Sequence, residues 1–155
     1  MMNQIGLDKD KSKKLADDLN DLLANYQLFY INTRGFHWNI KGDKFFELHV
    51  KFEELYTEQQ LKIDEVAERI LTLGFQPLHS FTSYLEKSDI KPAINISNGK
   101  AAVKEIVDAF RIILEKQRNI LVESDELHDE GTNALMSDYI SEQEKLVWMY
   151  SSFLA

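Results

Sequence analysis

Four histidines, His37, His49, His79 and His128, are the only imidazoles in the chain, and there is no cysteine. Metal chemistry must therefore use imidazole and carboxylate, and thiolate zinc sites, iron–sulfur clusters, disulfide frameworks and cysteine nucleophiles are excluded. A di-iron centre inside a helical bundle ordinarily needs a glutamate three residues before a histidine on two helices. The residues at that offset are Arg34, Phe46, Gln76 and Asp125. None is glutamate.

A different set remains. His37 and His49 flank one short turn, and Asp64 and Glu68 stand four apart, on one face of any helix that carries them. Two imidazoles and two carboxylates suit iron, manganese or zinc. His49 and Asp64 are fifteen residues apart, which is ~22 Å along a helix axis, whereas a ligand bond spans ~2 Å. If all four residues serve one site, two chains must supply them. A two-fold axis near Tyr56 and Thr57 would set His49 of one chain against Asp64 and Glu68 of the other, giving two sites in which each residue occurs once. Plainer readings stay open. Asp64 and Glu68 also fit a solvated face, His37 a helix end, and His49 surface polarity. His79, beside Pro77, reads as structural; Asp125 with His128 lacks a second ligand pair; Tyr56 and Trp148 read as packing residues.

The elements that must position these residues are helices. Four segments carry the i, i+3, i+4 apolar rhythm, and no strand pattern competes. The first runs from about Lys11 to Trp38 with Leu15, Leu19, Leu22, Tyr26 and Phe29 or Tyr30 on one face, capped by Asp8 or Ser12. The second follows Lys41-Gly42, with Asp43 expected as its cap. Its stripe is Phe45, Leu48, Phe52, Leu55, Val66, Ile70 and Leu73, broken at Gln59, and Gly74 with Pro77 predicts its stop. The third begins near Asn98-Gly99, carries Ile106, Phe110, Ile113, Leu114, Gln117 and Leu121, and ends before Gly131. The fourth begins at Thr132 with Leu135, Tyr139, Leu146, Met149 and Phe153. Tight turns make helices one–two and three–four antiparallel hairpins. The connection from about Phe75 to Ser97 is long enough to cross the bundle, with a short helix over Ser80 to Glu86. One long crossover among four helices is the ferritin-like arrangement.

At 155 residues and 44% hydrophobic content the chain suits a single domain, residues 1–155, with a short tail over about 1–10. The net charge of −8 disfavours nucleic acid and anionic lipid as partners and favours cations. No apolar run approaches the ~18 residues of a membrane span, and MMNQIGLDKDKSKK lacks the apolar core of a signal peptide. A soluble, cytoplasmic protein is expected.

The run Gly35 to Ile70 resembles the signature region of the Dps family (DNA-binding proteins from starved cells), which are small ferritin-like proteins. The resemblance rests on FHW at Phe36–Trp38, LHVKFEELY at Leu48–Tyr56 and IDEVAERI at Ile63–Ile70, and extends less specifically through the fourth helix. It implies an all-α four-helix bundle assembled as twelve subunits in a hollow shell. It implies ferrous iron at the dimer seam, held by His37 and His49 of one subunit with Asp64 and Glu68 of its mate. Oxidation by hydrogen peroxide in preference to dioxygen is implied, with ferric mineral stored inside. Carboxylates favour the ferric product, Glu68 being the candidate bridge between two irons, and imidazoles hold ferrous iron with positions open for peroxide. Zinc is the expected substitute metal. Trp38 resembles the family's aromatic neighbour of the site, able to take up a stray oxidising equivalent. Acidic residues from Glu123 to Glu130, with Asp138, fall where the family lines its three-fold pores.

The chain departs from the family name in its N-terminus. DNA-coating members often carry a lysine-rich tail, but here Lys9, Lys11, Lys13 and Lys14 alternate with Asp8 and Asp10. Phosphate contacts dominate non-specific affinity, so DNA binding is expected to be weak or absent. The competing functions are a DNA-coating shell with little oxidase activity, and a helical oligomer with structural zinc at its seam.

Overall fold

A computed structural model describes residues 1–155 as five helices without a strand: α1 (Lys9–Asn39), α2 (Phe45–Thr72), α3 (Phe81–Lys87), α4 (Gly99–Glu126) and α5 (Glu130–Leu154). The hairpins α1–α2 and α4–α5 are the most extensively packed pairs, and they join through α1 against α4. The long connection between α2 and α4 holds the short helix α3, which packs on α1. This is the expected four-helix bundle with one crossover.

Capping chemistry sets the boundaries. Asp8 caps α1 by accepting from the Lys11 amide at 3.0 Å, while Ser12 is buried and donates its hydroxyl to the Asp8 carbonyl. Asp43 does not cap α2. The helix starts from Lys44 with no side-chain cap, because Gly42 at φ +112 turns the chain so that its own carbonyl takes the Phe45 amide at 3.2 Å. α5 begins at Glu130, two residues before the expected Thr132, because Asp129 is the cap and accepts from the Thr132 amide. Ser80 caps α3.

The expected apolar stripes of α1 and α2 are buried, except that Tyr30 and Phe45 are only partly so. α5 departs further. Its buried face is Thr132, Met136, Tyr139, Ile140, Gln143 and Tyr150, whereas Leu135, Leu146 and Phe153 only flank the core and Met149 is 40% exposed. The stripe is displaced because its middle residue is polar. Gln143 sits in a closed hydrogen-bond ring: it donates to the Tyr26 hydroxyl at 2.6 Å and accepts from Gln117 Nε2 at 2.6 Å, while Tyr26 donates to Gln117 Oε1. Every member both gives and receives, so three buried polar groups are satisfied without water. Gln59, the break in the α2 stripe, is likewise buried and donates to Thr33 at 3.3 Å.

Three asparagines on α1 stitch the crossover down. Asn20 accepts from the Leu78 amide, Asn25 from Ser88 Oγ and the amides of Asp89 and Ile90, and Asn32 from the Ala93 amide. A connection without long regular structure thus finds partners for its backbone on a helix surface.

Candidate metal centre

α1 ends at Asn39 and α2 starts six residues later, which brings the two imidazoles together. Their rings stack with centroids 3.8 Å apart and planes 13° from parallel. Each is locked by the other's backbone: His37 Nδ1 lies 2.6 Å from the His49 carbonyl, and His49 Nδ1 lies 2.8 Å from the His37 carbonyl. A carbonyl oxygen only accepts, so both Nδ1 atoms carry the proton. The His37 carbonyl is available because it belongs to the last turn of α1, where carbonyls lack helical partners. In the neutral rings both Nε2 atoms then keep their lone pairs. A ring nitrogen donating to a carbonyl while its mate stays free is the arrangement that orients histidine as a metal ligand and raises its basicity.

Neighbouring rings hold the pair in place. Phe45 stacks on His49 at 5.0 Å, and Tyr56 meets His37 edge-on at 5.3 Å. His37 is buried and His49 partly so. Asp64 and Glu68 lie further along α2, exposed and free of any ion pair. No group of three or more His, Asp or Glu side chains within one chain could hold a metal ion. The structure thus unites the two histidines and leaves the two carboxylates apart from them.

Exposed apolar residues share the carboxylates' face. Phe46, Val50, Leu61 and Leu71 are all more than half exposed, and they recur with Asp64 and Glu68 at helical spacing on the side of α2 opposite Phe52, Gln59, Val66 and Ile70. Trp38, on α1, is 58% exposed as well.

Arg34 is a part of the centre that the ligand pattern did not reveal. Its guanidinium carbon lies 5.9 Å from the Tyr30 ring, 5.1 Å from Trp38 and 5.3 Å from Tyr56. The signal was present as the spacing Tyr30, Arg34, Trp38, which puts a cation between two rings on one helical lane.

The acidic turn between α4 and α5 divides in two. Asp129 is buried, caps α5 and pairs with Arg69 at 2.6 Å, and Glu123 is bonded to Lys14. Burial and the nearby Asp18 push the Glu123 carboxyl up from its ordinary range, against the opposing pull of Lys14. Asp125, Glu126, Glu130 and Asp138 remain exposed. His79 and His128 are exposed and distant from the stacked pair in sequence. His79 bonds only to the Pro77 carbonyl next to it.

A helical bundle crossed once by a long connection, with histidine and carboxylate donors on its first two helices, defines a ferritin-like protein, and the ferritin-like domain family matches residues 16–155. A protein of Haemophilus influenzae, named only as uncharacterized, is 53% identical over 96% of this chain and 92% of its own length. The DNA protection during starvation protein of Porphyromonas gingivalis is 42% identical over 96% of this chain and 93% of its own. The crystal structure of a Dps protein from Vibrio cholerae O1, described as a member of a broad superfamily of ferritin-like diiron-carboxylate proteins, superposes with a TM-score of 0.98 at 59% identity, covering 99% of this chain and 97% of that one. The chain belongs to the Dps family. The resemblance first visible in Gly35–Ile70 holds over nearly the whole chain.

Proposed function

We propose that the protein is a ferroxidase and iron store: it oxidises Fe²⁺ with hydrogen peroxide, and with dioxygen less well, at sites shared between two-fold-related subunits, and keeps the ferric product inside a shell of twelve. This protects the cell from the pairing of free ferrous iron with peroxide. The carrying observation is the reciprocal lock of His37 and His49, which orients two imidazoles with their Nε2 atoms free of protein partners and with no third donor in the same chain. Asp64 and Glu68 are unpaired acids on an apolar exposed face of α2, a surface suited to a second copy. Antiparallel apposition about Tyr56 and Thr57 would supply each imidazole pair with the mate's carboxylates.

The division of donors suits the reaction. Imidazole accepts ferrous iron, and carboxylate stabilises the ferric product, with Glu68 as the bridge. Oxidising two ferrous ions together, 2 Fe²⁺ + H₂O₂ + 2 H⁺ → 2 Fe³⁺ + 2 H₂O, delivers both electrons to one peroxide and releases no hydroxyl radical. Asp125, Glu126, Glu130 and Asp138 are the acids free to draw Fe²⁺ through a pore. The deciding experiment adds Fe²⁺ anaerobically and then peroxide, following ferric absorbance alongside size-exclusion mass. The double variant Asp64→Ala/Glu68→Ala should lose rapid oxidation by at least about 100-fold while assembly survives. Unchanged oxidation would refute the assignment, and loss of assembly on zinc removal would favour a structural-zinc seam instead.

A DNA-coating role has less support. Residues 1–8 fold back on α1, with the Lys9 amide bonded to the Met1 carbonyl and Asn3 Oδ1 accepting from Ile5 and Leu7. Lys13 and Lys14 are paired with Asp17 and Asp18, which leaves Lys9 and Lys11 as the unpaired cations of this N-terminal stretch for phosphate. Binding should be weak or absent at physiological salt, and a gel shift showing sub-micromolar affinity there would overturn this.

A further inference from the structure

Arg34 combines three features that no other cation of the chain shares. It is enclosed by three aromatic rings at 5.1–5.9 Å. Its Nη1 donates to the Tyr30 hydroxyl at 2.6 Å, while Nε is buried without a hydrogen-bond partner. Although the chain has 26 acidic residues, Arg34 enters none of its ion pairs. Within its own chain, the charge stands among rings with no carboxylate at ion-pair distance, where screening by water is reduced.

These rings adjoin the imidazoles. Tyr56 touches His37 edge-on at 5.3 Å, Tyr30 touches Tyr56 at 6.0 Å, and Trp38 follows His37 in the chain. Phenol and indole are among the side chains most easily robbed of an electron, and at the proposed site they would face iron and peroxide. We infer that Arg34 is a redox-positioning residue: its unpaired charge makes electron loss from Tyr30, Trp38 and Tyr56 costlier, so that peroxide draws both its electrons from iron. The inference rests on the ferroxidase function proposed above for His37 and His49.

The suppressed side reaction is Fe²⁺ + H₂O₂ + TyrOH → Fe³⁺ + TyrO• + OH⁻ + H₂O. Iron and the phenol each lose one electron, the O–O bond accepts both, and the phenolic proton leaves in water. A neighbouring guanidinium opposes this at the point where the electron leaves ahead of the proton, because the ring is then a cation radical beside a fixed positive charge. Trp38 is then held reduced rather than offered as a sacrificial residue.

The test uses the full-length assembled protein and the variants Arg34→Gln and Arg34→Lys, with size-exclusion mass and circular dichroism as controls. Arg34→Met replaces the Gln variant if that fails to assemble. In one arm, one Fe²⁺ per site is mixed with peroxide and freeze-quenched, and ring radicals are counted by electron paramagnetic resonance. In the other, metal-free protein meets a photogenerated oxidant, a ruthenium polypyridyl complex with persulfate. In both arms the charge-free variant should give about two- to thirtyfold more ring radical, the factor a lost cation–π contact represents. Oxidised Tyr30, Trp38 and Tyr56 should follow in peptide mass spectra, and Arg34→Lys should stay near wild type. Equal radical yields for wild type and Arg34→Gln in the metal-free arm would overturn the inference. So would a lysine variant as leaky as the glutamine one. If the wild type consumed no peroxide with Fe²⁺, the ferroxidase function would fall and the metal-free arm would still decide on Arg34.

Discussion

Mixing two inactive variants provides the sharpest check on a site built from two chains. His49→Ala removes one imidazole from the histidine half, and Asp64→Ala/Glu68→Ala removes the carboxylate half. The halves sit ~22 Å apart along α2, so neither variant can repair itself. In a two-fold dimer containing one of each, one site combines both damaged halves, and the other combines intact His37 and His49 with intact Asp64 and Glu68. Random reassembly of an equal mixture makes about half of the dimers mixed, each with one good site of two, so about a quarter of all sites are restored. The assay is peroxide-driven Fe²⁺ oxidation after the two variants are dissociated, mixed and reassembled, against each variant reassembled alone. Recovery of about one-quarter of wild-type activity is expected, rising and falling with mixing ratio as twice the product of the two fractions, halved. No recovery, with mixed dimers demonstrated by mass, would refute the two-chain site and with it the two-fold register.

Other perturbations test the scaffold. Gln143→Leu removes the donor to Tyr26 and the acceptor for Gln117 Nε2, leaving buried polar groups unpaired. A loss of roughly 1–3 kcal/mol is expected in urea unfolding of assembled protein, and a change below about 0.5 kcal/mol would mean that the ring adds nothing net. Acid should loosen the crossover. The hydrogen bond from Lys116 at 2.6 Å holds the Asp89 carboxyl below its ordinary 3.8, despite some desolvation. That stabilisation is present above the unfolded carboxylate's pKa and is lost as pH falls through the folded one. Hydrogen exchange at Asp89 and Ile90 should therefore accelerate below about pH 4, and an Asp89→Asn variant should remove the acceleration.

Much of this molecule could be read from its pattern because its helices obey the ordinary apolar period. The faces of α1 and α2 follow directly from Leu15, Leu19, Leu22 and Phe52, Leu55, Val66, as does the split between His49 and Asp64. What escaped the pattern was polar. Gln143 occupies the middle of α5's buried face, so counting apolar residues drew the stripe through Leu135, Leu146 and Met149 instead. The cap of α2 escaped because Gly42's positive φ let a carbonyl do the work expected of Asp43. Asn20, Asn25 and Asn32 carry no signal in the apolar rhythm, and only their partners in a connection some sixty residues away give them meaning. The stacked imidazoles could be inferred to be neighbours, but their mutual carbonyl bonds depend on the ending of α1 at Asn39.

The two polar regions also explain each other. A ferritin-like bundle offers its centre to metal when acids and histidines face inward, and here that centre holds Tyr26, Gln117, Gln143 and Gln59 instead. The ring of three satisfies its own donors and acceptors, and Gln59 is bonded to Thr33, so neither presents an anionic ligand set. Lys62, buried nearby on α2, brings a cation held by Glu58 and Glu142 at 3.2 and 3.3 Å, and its ammonium lies 5.1 Å over the Tyr139 ring. A divalent ion would meet neutral amides and a positive charge there, a poor exchange for its hydration shell. With the interior closed to cations, the acids left for the proposed two-chain site lie at the surface, Asp64 and Glu68 among them on the exposed face of α2. Opening the interior should then require two changes together. Gln117→Glu/Gln143→Glu alone would add charge beside Tyr26 without removing Lys62, so it should unfold more readily and bind no extra Fe²⁺ in anaerobic equilibrium titration. Adding Lys62→Gln should recover part of the stability at Fe²⁺ concentrations that occupy the new carboxylates. An additional ferrous ion bound by the first variant alone would show that Lys62 does not guard the centre.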